Sequence, residues 1–157
     1  MNNQVAFYIP LVSNTEVSQN LVKILNNISS KYNTILFNSQ YDFIDQEPRR
    51  FSVLHCNQSK YFYGILFAFD INSLAIIDHF PAPYKKIFVT SDIFWQNKTY
   101  PAKVSYDLIM NDIDIVTYDS KIYDLYNICF KKPLINMSNG LTSEDFVNVI
   151  DSVFSAK

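Results

Sequence analysis

The chain has 157 residues, 48% of them hydrophobic and 16% aromatic, which suits one domain with a sizeable core and excludes intrinsic disorder. Its 13 basic and 15 acidic residues give a formal charge of −2 and are scattered, so the footprint of a dedicated nucleic-acid binder is missing. Gly64 and Gly140 are the only glycines, which excludes a glycine-rich phosphate loop.

Residues 5–9 form a β-branched and aromatic run that reads as a first strand. Ser13 and Glu16 then make an S-x-x-E capping box. Val17, Leu21, Leu25 and Ile28 follow at helical spacing and predict a helix to about Ser30. Residues 34–37 read as a second strand and the polar stretch 40–50 as a loop. Strands are expected at 51–54 and 64–69, with the aromatics Tyr61, Phe62 and Tyr63 between them. Asp70 is placed to cap a helix through Leu74, Ile77 and Asp78, which Pro81 stops. A fifth strand is expected at 86–89 and a helix at 106–111, preceded by a loop holding Trp95 and Pro101. Residues 114–116 give a sixth strand. Ser120 is expected to cap a helix with Ile122, Leu125, Tyr126 and Cys129 on one face, and Lys131 and Lys132 near its end to suit the helix dipole. A seventh strand at 134–137 follows Pro133, and Thr142 or Ser143 caps a last helix carrying Phe146, Val149, Ile150 and Val153.

This alternation predicts an α/β fold: a single Rossmann-like three-layer domain over 1–157, with a mostly parallel sheet of about six or seven strands. Continuous apolar runs such as 65–69 suit a sheet covered on both faces. Right-handed crossovers make neighbouring strands parallel. No run of about 18 apolar residues predicts a membrane span, and no basic, cleavable leader is recognisable. Cys56 and Cys129 lack metal-ligand spacing and read as two buried, reduced thiols, which implies a cytoplasmic location.

In an open parallel sheet, ligands bind beyond the carboxyl ends of the strands. The candidate catalytic pair there is His55 as general base and Asp92 to orient it or a sugar hydroxyl. Ser13, Asn14, Asp119, Ser120 and Asn139 are candidate ligand contacts, and Trp95 can stack on a ring. The competing reading is structural, since polar residues at strand-to-helix turns cap helices and satisfy backbone donors. Asp70 and Ser120 fit that role. The two histidines have no metal spacing, no G-x-S-x-G elbow occurs, and the first turn, Pro10-Leu11-Val12-Ser13-Asn14, lacks the glycines of a dinucleotide site. No metal or cofactor is therefore expected. The aromatics Tyr61, Phe62, Tyr63, Phe94, Trp95 and Tyr100 offer either a recognition surface or core filling.

The second half resembles the end of the N-terminal, acceptor-side domain of GT-B glycosyltransferases. Ile113-Asp114-Ile115-Val116 leads to Ser120, a helix, Lys132-Pro133 and Leu134-Ile135. Asn139-Gly140-Leu141-Thr142-Ser143-Glu144-Asp145-Phe146 then follows the "N-G-h-x-x-E-x-F" pattern of that family. The resemblance implies a Rossmann-like half without the C-terminal domain that binds the sugar nucleotide there. Two function classes follow. One is a non-catalytic binding or assembly protein, with a protein partner or a second copy of itself. The other is a minimal or partner-dependent glycosyltransferase using a nucleotide-sugar donor or a glycan. An Asn-, Lys-, Ile- and Tyr-rich chain suits an AT-rich genome such as a phage's, where the fold would serve in the virion.

Overall fold

A computed structural model describes residues 3–10, 16–39, 48–81, 83, 85–90, 107, 110–137 and 141–156. The apolar runs become seven strands: β1 (Gln4–Tyr8), β2 (Asn33–Asn38), β3 (Ser52–His55), β4 (Ile65–Ala68), β5 (Lys85–Thr90), β6 (Ile113–Thr117) and β7 (Ile135–Asn136). They form one sheet in the order β3-β2-β1-β4-β5-β6-β7, with every pairing parallel. β1 and β4 are central, with Val5 opposite Ile65 and Phe7 opposite Phe67. Both are buried along nearly their whole length, which is why they carry no alternation of polar residues.

Side chains still alternate between the faces, and each face has its own core. Val5, Phe7, Ile65, Phe67, Ile87, Val89 and Val116 point to the layer made by α1 (Glu16–Ile28) and the C-terminal helix. Ala6, Tyr8, Leu66, Ala68, Phe88, Ile113 and Ile115 point to the layer made by α2 (Ile71–Asp78), α3 (Ser120–Cys129) and a 3₁₀ turn at Cys56–Tyr61. The result is a three-layer, Rossmann-like α/β domain. Among the described residues no helix is long and apolar enough to cross a membrane.

The C-terminal helix, α4 (Ser143–Ser155), packs on its own sheet. Phe146, Val149, Ile150 and Val153 recur at i, i+3, i+4 and i+7 and are buried as one stripe. Phe146 meets Phe7 and Phe67 edge-on, at ring centroids of 5.4 and 5.5 Å, while Phe7 and Phe67 stack at 5.0 Å. Full burial of such a ring contributes about 1.5–3 kcal/mol, and each aromatic pair roughly 0.5–1.5 kcal/mol more. Outside the core, the Asp151 carboxylate takes both the Lys31 ammonium, at 2.6 Å, and the Tyr32 hydroxyl, tying α4 to the end of α1.

Three expectations are corrected, and one element has no counterpart among them. Cys56 is buried, but Cys129 is exposed, because α3 turns Tyr126 inward and leaves Ile128 and Cys129 facing outward. Ile122 and Leu125 are only half-buried, so the inner face of α3 is narrower than its spacing suggests. Lys131 lies beyond the end of α3, and its ammonium reaches the carbonyls of Asn111 (2.9 Å) and Ile113 ahead of β6 rather than the helix's own. The 3₁₀ turn at Cys56–Tyr61, held by the Ser59 hydroxyl on the Cys56 carbonyl at 2.5 Å, has no apolar periodicity to announce it.

Candidate functional site

The chain leaves β1 towards β2 on one side and leaves the neighbouring β4 towards β5 on the other, so a crevice is expected between their carboxyl ends. The β1 and β2 ends are bound tightly there. Ile9 N–H donates to the Phe37 carbonyl at 3.0 Å, Ser39 N–H to the Pro10 carbonyl at 3.0 Å, and Asn38 Nδ2 to the Ile9 carbonyl at 3.0 Å. Tyr8, the last residue of β1, is buried beneath the crevice, with its ring edge-on to Phe80. Its phenol is pushed up to about 12, first by burial, then by the Cys56 thiol that hydrogen-bonds it, and by the Asp70 carboxylate nearby. Tyr8, Cys56 and Asp70 therefore meet at the point where the strand order reverses.

Asp70 itself is committed to α2. Its carboxylate accepts from Ser73 N–H at 2.9 Å and from the Ser73 hydroxyl at 2.6 Å. Asp119 does the same for α3, accepting from Lys121 N–H at 2.8 Å and Ile122 N–H at 3.1 Å. Thr142 caps α4 through Asp145 N–H at 3.2 Å, and Glu144 and Asp145 fill the first turn. These amides, which hold phosphate in nucleotide-binding sheets, already carry acceptors here, and at α2 and α3 the acceptor is a negative charge. A phosphate placed there would meet like charge instead of bare N–H groups.

His55 ends β3 and caps the 3₁₀ turn, its Nδ1 accepting from Asn57 N–H at 3.2 Å. With Nδ1 as acceptor the ring proton sits on Nε2, so base chemistry at Nδ1 requires that bond to break. Ser120 is the first helical residue of α3 and not its cap; Asp119 takes that position because its carboxylate reaches two amides at once. Ser13, Asn14, Asp92, Trp95 and Asn139 lie outside the described residues, as do Phe94 and Tyr100. His55 is at an outer strand, and the end of β5 that precedes Asp92 is four strand spacings away, about 19 Å. Of the aromatic cluster, Phe62 enters the core against Phe37, while Tyr61 and Tyr63 are exposed.

The meeting of Tyr8 with Cys56 escaped the sequence because each belongs to a run with a sufficient local explanation. Only the β3-β2-β1-β4 order brings the 3₁₀ turn over β1. Among the described residues no group of three or more His, Cys, Asp or Glu side chains is placed to hold a metal ion. Comparison with known protein families, with curated proteins and with solved structures finds no match for this chain.

Proposed function

We propose that this chain is a non-catalytic binding or assembly protein on a Rossmann-like scaffold. The observation that carries this reading is the pair Tyr61 and Tyr63, 76% and 60% exposed on either side of buried Phe62. Phe62 packs edge-on against Phe37 at 5.8 Å, so the backbone is anchored and both phenols are presented outward at little further entropic cost. Tyrosines held in this way are the residue type that dominates protein interfaces. The capped helix ends agree with this reading, since His55, Asp70, Asp119 and Thr142 all spend side-chain acceptors on their own backbone.

The crevice between β1 and β4 supports a second reading, a partner-dependent glycosyltransferase with a nucleotide-sugar donor. Thermal unfolding against a panel of UDP-, GDP-, TDP- and CDP-sugars separates the two. A ligand at a hundredfold excess over its Kd stabilises the folded state by about 2.7 kcal/mol. The binding reading expects no shift at millimolar ligand. A reproducible upward shift with one nucleotide overturns it and makes His55 and Asp92 the next residues to substitute.

A further inference from the structure

We draw no further inference here: the strongest candidate, the surface patch of Tyr61 and Tyr63 at the end of the 3₁₀ turn just before β4, where the Lys60 ammonium lies over the Tyr61 ring, carries nothing beyond the reading above, because nothing in the structure shows what covers it.

Discussion

Gly64→Ala should destabilise the fold, although Gly64 sits in no turn that demands a left-handed backbone. The residue precedes β4 where it runs beside the start of β1, and a Cβ built there presses into the Gln4 carbonyl oxygen and comes within 2.6 Å of Phe62 Cζ. Neither neighbour can yield cheaply. Gln4 opens a strand paired on both sides, and Phe62 is buried edge-on against Phe37. Overpacking of this kind costs about 1–3 kcal/mol, and the double contact argues for the upper part of that range. Alanine returns roughly 0.4–1 kcal/mol by restricting the unfolded chain, leaving a net loss of about 2 kcal/mol. For a chain of this length that corresponds to about 4–8 °C in Tm. Urea unfolding followed by circular dichroism measures the change directly. Phe62→Leu in the Gly64→Ala background should recover part of the loss, because it removes the ring contact and leaves the carbonyl contact. A Gly64→Ala protein as stable as wild type would refute the close approach of β1 and β4 at this point.

Asp119→Ala should cost about 1 kcal/mol of stability through loss of the α3 cap, and Asp119→Asn should restore most of it. A carboxylate serving a ligand would not be rescued by the amide in this way, and parallel thermal melts of the two variants distinguish the cases. Tyr8 makes stability fall at alkaline pH. Its phenol titrates near 10 in the unfolded chain and at about 12 in the folded one, so its contribution is complete below pH 10 and is lost as the pH rises towards 12. Urea titrations at pH 9, 10 and 11 should show a shallower decline for Tyr8→Phe than for wild type; equal slopes would mean that the phenol is not held neutral by its surroundings.

The fold was readable because parallel sheets buried on both faces write long apolar runs, and the helices between them keep their periodicity and caps. All seven expected strands are present, and Asp70 and Thr142 cap where S/T/D patterns placed them. Position-specific packing was harder to read. Cys129 shares the spacing of Tyr126 but is the last residue of α3 and is exposed, so its periodicity does not translate into burial. The Asp119 and Ser120 pair shows the same limit, since both residue types cap helices and only the geometry of the turn selects the carboxylate. Of the residues that carry the GT-B resemblance, Ser120 begins α3 and Phe146 is a core ring, roles that any Rossmann-like domain needs, while Asn139 and Gly140 lie outside the described residues.

Among the described residues at the carboxyl end of the sheet, Asp70 and Asp119 are turned onto their own backbone, and Tyr8 under the crevice is held as a neutral phenol. At α2 and α3 the caps gain stability, and the amides they occupy are no longer bare donors for a phosphate. Lys85 is paired with Asp112 and Asp114, while among the described residues six large apolar side chains stay in water. Scattered apolar exposure is ordinary and needs no explanation. The pair that departs from that pattern is Tyr61 and Tyr63, held outward on either side of buried Phe62.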